Sequence, residues 1–561
     1  MRGLDLHWLR LVEILYLAAN IRREKGRDMA TATAAMETQK HPKGLYVLFG
    51  SEMWERFSFY TVNAMLALYL RDTVQGFSFT NAEAARVQSW YLMFVYFTPL
   101  LGGFLADMFL GFRKAILIGA VFFIAGHALL AVPNNLMIVY AALACLVIGN
   151  GFFKPNVSSM VGNLYTEGSH LKDKAYLIFY MGINIGAALA PIVAAFIQPK
   201  WGFHPAFFMG AIGMVISIII FGLNQKHVRH ADRIRGKSDF MRQDGSHGHQ
   251  DAVATAEDLP PVLNEEARMM QAVPEWKRIV ALIVIFLIVI VFWMIFHQNS
   301  LTLTFWAEDH TEWTFIKAGG ILSNTINAIW IVALSLPLAW FWGWLDKRGL
   351  EPSTPTKIMY GMALTGLSMV ILWFAANQHG FDKPAFRVEK VDEQGTWVSI
   401  AKEARDHLKI TIPPTPIQVQ KGAEMVTLDA WRVTNSGSTP RPNDFVRLES
   451  HDANGIVTGP TSKASLWWLI LMYGVISLGE LMLSPMGLAL VSKVAPIRMR
   501  GLMMGGWFAA TAIGNKLTGI GKYWDLWSHA QFFIFLAGLA FVMAIVLFLL
   551  LRPLKKAMPG V

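Results

Sequence analysis

Apolar runs recur along the chain at 45–70, 87–106, 113–132, 137–162, 175–197, 205–223, 277–300, 318–345, 356–376, 466–490, 500–521 and 530–552. Each is close to the roughly 20 residues, at ~1.5 Å apiece, that a helix needs to cross a bilayer. The pattern predicts about twelve transmembrane helices in two groups of six. A helical bundle, not a barrel, is the spanning structure that such long runs fit.

Three polar stretches interrupt the pattern. Residues 224–276 separate the two groups; they begin basic (Lys226, Arg229, Arg233, Arg235, Lys237), turn acidic, and read as a flexible linker. Residues 377–465 alternate with a period of two at 386–391, 410–412, 417–419, 431–433 and 445–448. This predicts either a small β-rich insert or a loop that orders only on contact. Residues 1–43 form an N-terminal extension whose segment 4–20 is apolar on one side but carries Asp5, His7, Arg10 and Glu13. It reads as an interfacial helix or as sequence upstream of a true start at Met29 or Met36. The expected units are 1–43, 44–223, 224–276, 277–376, 377–465 and 466–561.

Composition agrees with a membrane protein. Of 561 residues, 54% are hydrophobic and 16% charged, against about 25% charged for a soluble domain, and the mean hydropathy is +0.40. The single cysteine, Cys145, excludes a disulfide or a cysteine-built metal site, and no cofactor or metal is expected. The net charge of +10 is no nucleic-acid signal, because the bases sit between spans or at their ends. Arg113, Lys114, Lys172, Lys174, Lys347, Arg348, Lys357, Lys493, Arg498 and Arg500 mark one face; Arg71, Arg86, Lys200, Lys317 and Lys522 mark the other. The positive-inside rule places the richer face, the linker and both termini in the cytoplasm, and the 377–465 insert outside.

Charges inside the runs carry the chemistry. Glu52, Glu55 and Arg56 lie in the first run at spacings that crowd one helix face, continued by Tyr60 and Asn63. Each such charge costs at least ~2.5–3.5 kcal/mol at the bilayer centre and is functional by default. Lys154 lies deep in the fourth run and needs an acid, for which Glu52 and Glu55 are the candidates. Glu480 is the one formal charge in the middle of the second half. Arg56 and Lys154 against Glu480 make a bipolar chamber suited to a short zwitterion. Tyr60, Tyr96, Tyr180, Trp293 and Trp507, with Asn184, Gln298 and Asn327, would give it aromatic walls and a few polar anchors. The halves also echo each other: Lys154-Pro155 answers Ser484-Pro485, and the 103–114 stretch answers 343–349. Matching features six spans apart suggest parallel repeats with a site between them.

Glu52-x-x-Glu55-Arg56, Gly151-Phe-Phe-Lys154-Pro155-Asn156, Gly479-Glu480-x-x-x-Ser484-Pro485-x-Gly487 and Gly505-x-Trp507-Phe508…Gly514-Asn515 together resemble the signatures of the proton-dependent oligopeptide transporter (POT) family. The Gly102–Lys114 stretch resembles the cytoplasmic loop motif of the major facilitator superfamily, to which that family belongs. The resemblance implies a major facilitator fold, all-α and polytopic. It implies a monomeric symporter in the cytoplasmic membrane, in contact with lipid, that imports di- and tripeptides with protons by alternating access, and no enzymatic activity. It assigns Arg56 and Lys154 to the peptide carboxylate; Glu480, Asn184 and Asn327 to its amine; Trp293, Trp507, Tyr60, Tyr96 and Tyr180 to the side-chain pockets; and Ser484 to the binding surface. Proton exchange falls to Glu52, Glu55, Arg56, Lys154 and Glu480.

Several residues depart from the family pattern. Phe59 replaces a tyrosine, Asn63 an arginine, and His297 that arginine's usual acidic partner. Asn63 and His297 would then form an altered interhalf pair. Ser89 stands near where animal members carry a coupling histidine. Nitrate or a modified amino acid is the alternative substrate, although Glu480 favours a ligand that carries an amine. No metal cluster, nucleophile elbow or phosphate loop supports an enzyme.

Overall fold

The computed structural model describes residues 41–559 except 134, 166–170, 233–268, 271, 315–317, 422–423 and 497–498. The predicted N-terminal helix and most of the linker lie outside the described residues. Among the described residues twelve helices run 18 residues or longer: α1 (Lys43–Arg71), α2 (Asn81–Leu105), α3 (Phe112–Leu130), α4 (Leu136–Asn163), α5 (Leu171–Trp201), α6 (Phe203–Leu223), α7 (Glu275–Phe296), α8 (Gly319–Asp346), α9 (Thr354–Gln378), α10 (Leu466–Val494), α11 (Arg500–Leu517) and α12 (His529–Ala557). Ten of them are long and apolar enough to cross a membrane on length and composition alone. The two that are not, α1 and α11, are long enough but too polar, and α1 owes this to Glu52, Glu55 and Arg56.

Two predicted spans end early as regular helix. The run at 277–300 is α-helical only to Phe296, then tightens into a 3-10 turn over His297–Ser300 and resumes as a short helix, Thr302–Asp309. The run at 500–521 is α-helical to Leu517 and continues as a 3-10 segment, Thr518–Tyr523. After α2 the chain makes a π turn, Ala106–Leu110, and Gly111 at φ 75° lets it reverse into α3. Asp232 caps α3 by accepting from Phe112 N at 2.8 Å, and it pairs with Arg113 at 2.8 Å. This ties the start of the linker to the loop motif.

Small residues set the helix spacing, as is usual where lipid removes any hydrophobic drive between helices. A Cβ on Gly119 would meet the Gly149 carbonyl at 2.7 Å, so α3 and α4 cross almost backbone to backbone. In the second half a Cβ on Gly361 would meet the Gly479 carbonyl at 2.7 Å, which joins α9 to α10 in the same way. The two crossings are six helices apart, as the repeat predicts, and Gly149 and Gly479 each stand six residues before the matched prolines Pro155 and Pro485. The halves meet along α2 against α11 and α5 against α8.

The 377–465 segment is a folded sheet. Strands β1 (Thr311–Glu312) and β8 (Ala464–Ser465) make a short parallel ladder at its base, and β2 (Ala385–Asp392), β3 (Gly395–Ser399), β4 (Thr415–Lys421), β5 (Glu424–Asn435), β6 (Phe445–His451) and β7 (Ile456–Pro460) follow the order β3-β2-β6-β7-β5-β4. Its own core holds Phe386, Val388, Val398, Trp431, Val446 and Ile456, and Leu526 of the bundle packs against it. The strand expected at 410–412 is absent: Ile410 closes a helical turn through Lys409 in the left-handed region. The short strands β3 and β7 were not anticipated.

Candidate functional site

The first charged cluster is built on α1 with help from α4. Glu55 grips the neighbouring guanidinium with both oxygens, at 2.5 Å from Arg56 Nε and 2.6 Å from Nη2. Arg56 Nη2 also donates to Asn150 Oδ1 at 3.0 Å, and Asn150 in turn donates to the Val95 carbonyl at 2.6 Å. One guanidinium therefore joins α1, α2 and α4. Glu52 stands 3.5 Å from Arg56 Nε, yet neither of its buried carboxylate oxygens has a hydrogen-bond partner among the described residues.

Lys154 does not make the ion pair expected with Glu52 or Glu55. Its Nζ lies 4.7 Å above the Tyr96 ring, a cation–π contact, while remaining within electrostatic range of both glutamates. Glu55 is already engaged by Arg56 through both oxygens, and Glu52 lies beside the same guanidinium at 3.5 Å. In this conformation the Arg56 fork is engaged by Glu55, and Lys154, half-buried, is the cation that remains available.

The acidic pole is built on α8 and α10. Asn327 Nδ2 donates to Ser477 Oγ at 2.8 Å and to Glu480 Oε2 at 3.3 Å, and Ser477 Oγ donates back to the Asn327 carbonyl at 3.4 Å. Glu480 acts electrostatically on Tyr60, Tyr96 and Tyr180, and Arg56 acts on Tyr60 and Tyr96. Both poles thus address the same tyrosines. Asn184 is buried and spends its amide on the Tyr180 carbonyl at 2.9 Å. Ser484 lies one turn beyond Glu480, half-buried.

The aromatic residues divide. Tyr60, Tyr96 and Tyr180 stand partly open beside the poles. Trp507 is 2% exposed, packs on Phe286 and fills the space above Gly487, where a Cβ would lie 1.8 Å from its ring. It serves packing as much as any pocket. Trp293 stacks on His297 with centroids 5.3 Å apart, and Tyr96 meets that imidazole at a tilt, centroids 5.6 Å apart.

Asn63 and His297 are not joined by a hydrogen bond. Asn63 Oδ1 accepts from Gln88 at 3.3 Å, within its own half. His297 is buried against Trp293, Phe296 and Tyr96, with both ring nitrogens unpartnered among the described residues.

Sequence reasoning missed two members, Asn150 and Ser477. The signal for Asn150 lay in the repeat: the register that matches Pro155 with Pro485 sets Asn150 against Glu480. Nothing in the sequence marked Ser477, one serine among many on apolar faces.

On the insert face the halves are tied by polar contacts. Arg71 at the end of α1 pairs with Asp309 at 2.7 Å; Asn81 donates to Asp525 at 2.8 Å; Lys516 donates to Ser89 at 3.3 Å. These contacts hold the insert-face ends of the two halves together.

The chain matches the family model described as the POT family over residues 113–247, 246–404 and 445–522. It is 28% identical to an uncharacterized transporter of Bacillus subtilis, covering 93% of this chain and 96% of that protein. It is 26% identical to a di-/tripeptide transporter of Lactococcus lactis subsp. cremoris, covering 93% and 97%. A crystal structure of a peptide transporter POT in complex with sulfate superposes with a TM-score of 0.69 at 24% identity, over 93% of this chain and 97% of that one.

Proposed function

The chain belongs to the POT family, and from that premise we propose that it is a proton-coupled symporter importing di- and tripeptides by alternating access. The observation that supports the reading is a pair of opposite charges sharing one aromatic neighbour: Lys154 on α4 lies over the Tyr96 ring, on which Glu480 of α10 also acts. A short peptide presents a carboxylate at one end and an amine at the other, and it would bridge the two halves. Lys154 takes the carboxylate, and Arg56, held by Glu55 and Asn150, fixes the positive pole. Glu480, oriented by Asn327 and Ser477, takes the amine.

Proton coupling would work through the buried carboxylates. Glu52, unpartnered and 3.5 Å from Arg56, is the group best placed to exchange a proton with little rearrangement. Protonating Glu52 or Glu55 changes the pull on Arg56 and Lys154 and so alters their affinity for the peptide carboxylate. Only such a differential affinity drives the transition between states. His297 adds a second titratable group beside Tyr96; uptake by His297→Gln with an unchanged pH profile would remove it from the mechanism.

The same reading places the protein as a monomer in the cytoplasmic membrane, with both termini and the linker in the cytoplasm and the sheet outside. The expected units 44–223 and 277–376 with 466–561 are then the two rocking halves. The test is uptake of labelled dialanine into proteoliposomes under an imposed inward proton gradient. Accumulation that collapses with a protonophore supports the reading; nitrate accumulation without dialanine uptake overturns it.

A further inference from the structure

Three cations on the insert face converge on one seam. Arg86 of α2, Lys516 near the end of α11 and Lys522 just beyond it line a cavity of about 760 Å³. No carboxylate lines it. Lys516 Nζ donates to Ser89 Oγ at 3.3 Å and lies 4.2 Å above the Trp90 ring. Asp525, three residues beyond Lys522, accepts from Asn81. Like charges gathered in a largely apolar cavity that no carboxylate lines are costly, so the arrangement calls for an anion.

A second cavity of about 450 Å³ shares Arg86 and Trp90 with the first and runs along α2 and α4 past Phe94, Tyr140, Leu143 and Ile148. Its lining is apolar apart from Arg86 and the tyrosine hydroxyls. Trp90, Phe94 and Tyr140 are 44%, 42% and 43% exposed, so the slot opens on the outside of the bundle. From Tyr140 to Ile148 it descends roughly 12 Å along the helix axis, from the insert face toward the membrane middle. A cationic head site that continues into an apolar slot parallel to the spans has the shape and polarity of one molecule type.

We propose that this seam binds an anionic phospholipid from the leaflet on the insert side, its phosphate among Arg86, Lys516 and Lys522 and one acyl chain in the Phe94–Leu143 slot. Arg86 belongs to the first half and the two lysines to the second, so the headgroup bridges the halves. A bound lipid thereby favours the state closed on the insert face. The inference requires only that the chain spans a membrane, and it stands or falls independently of the peptide reading.

The test is native mass spectrometry of the full-length protein released from nanodiscs of phosphatidylglycerol or phosphatidylcholine with matched chains. The wild type should retain phosphatidylglycerol at least roughly tenfold better, and R86Q/K516Q/K522Q should bring the two lipids to parity. Leu143→Trp, which fills the slot, should lower retention of both. Should the triple variant not fold, the exposed single change Lys522→Gln must still give a partial loss. Equal retention of phosphatidylglycerol by wild type and variant overturns the proposal. Displacement of the lipid by glycerol phosphate as effectively as by a second phospholipid also overturns it, since that would make the site one for soluble phosphates.

Discussion

The same pair of chemical groups appears in two places in this molecule. In the bundle, Arg56 is held by Glu55 with side chains 3% and 0% exposed. In the outer sheet, Arg447 meets Glu449 at 2.7 Å and Asp382 at 3.1 Å, with the arginine side chain 30% exposed. Geometry hardly separates them; surroundings do. Water screens the second set and shares its hydrogen bonds, whereas the first set has only protein to answer it. The buried pair is therefore poised, because any change of charge at the site must be balanced by another group or by movement. The exposed set is simply tolerant.

The sharpest way to break this contrast is to remove one partner from each place. Glu55→Gln leaves Arg56 buried without its bidentate partner, and losing one member of a buried pair costs about 3–5 kcal/mol. Uptake should disappear and the protein should unfold at clearly lower temperature in detergent. Arg447→Ala should cost about 0–1 kcal/mol and leave uptake near wild type. Similar losses for the two variants, measured side by side by thermal unfolding and dialanine uptake, would erase the distinction.

A smaller effect is expected at the acidic pole. Asn327 orients Glu480, and deleting a hydrogen bond to a charged group costs about 1.5–3 kcal/mol. Asn327→Ala should therefore weaken dialanine binding by roughly 10- to 100-fold. Ser477→Ala touches Glu480 only through Asn327 and should cost about 1 kcal/mol. Equilibrium binding of labelled dialanine ranks the two, and a reversed order would mean that Ser477, not Asn327, holds the carboxylate.

The contact between Arg71 and Asp309 lies between the extremes, with side chains 15% and 12% exposed. It joins the insert-face ends of the two halves. Asp309→Asn should cost the closed state about 1 kcal/mol, a roughly fivefold shift in population. In a Cys145→Ser background, a cysteine placed at Asn63 should be labelled correspondingly faster from the insert side. Unchanged labelling would show that the closure rests on α2–α11 and α5–α8 packing alone.

How much of this was legible in the sequence follows the same divide. Twelve long helices, the matched glycine–proline spacing of the halves and the buried charges within the helices could be read directly, because membrane helices need long apolar runs and any charge within one stands out. What could not be read was who pairs with whom. Lys154 needed an acid, but chain order could not reveal that Glu55 was taken by its own neighbour Arg56, leaving Lys154 to Tyr96. Nor could the sequence reveal that Asn63 would hydrogen-bond Gln88 and not His297: two uncharged side chains have no long-range force to set them in register. In the sheet, β3 and β7 escaped notice because strands of five residues give too few alternations to count. Ile410 alternated correctly yet sits in a turn, since period two over three residues does not define a strand.

The mildest prediction sharpens the comparison from the exposed side. Hydrogen bonds from Lys383 and Arg447 hold the Glu449 carboxyl below its ordinary range, with Lys383 Nζ at 2.5 Å. A carboxyl depressed on folding contributes stability that is present above its unfolded value and is lost as the pH falls through its folded value. Acidifying the medium into and below the usual carboxylate range should thus loosen β6 and β7, seen as faster amide exchange around Phe445–His451. Glu449→Gln should abolish that acid response while leaving exchange near neutral pH only slightly faster. If the variant and the wild type loosen in parallel, the acid sensitivity belongs to another group in the sheet. The Lys383–Glu449–Arg447 cluster would then be surface decoration, and the contrast with the buried Arg56 pair would be wider still.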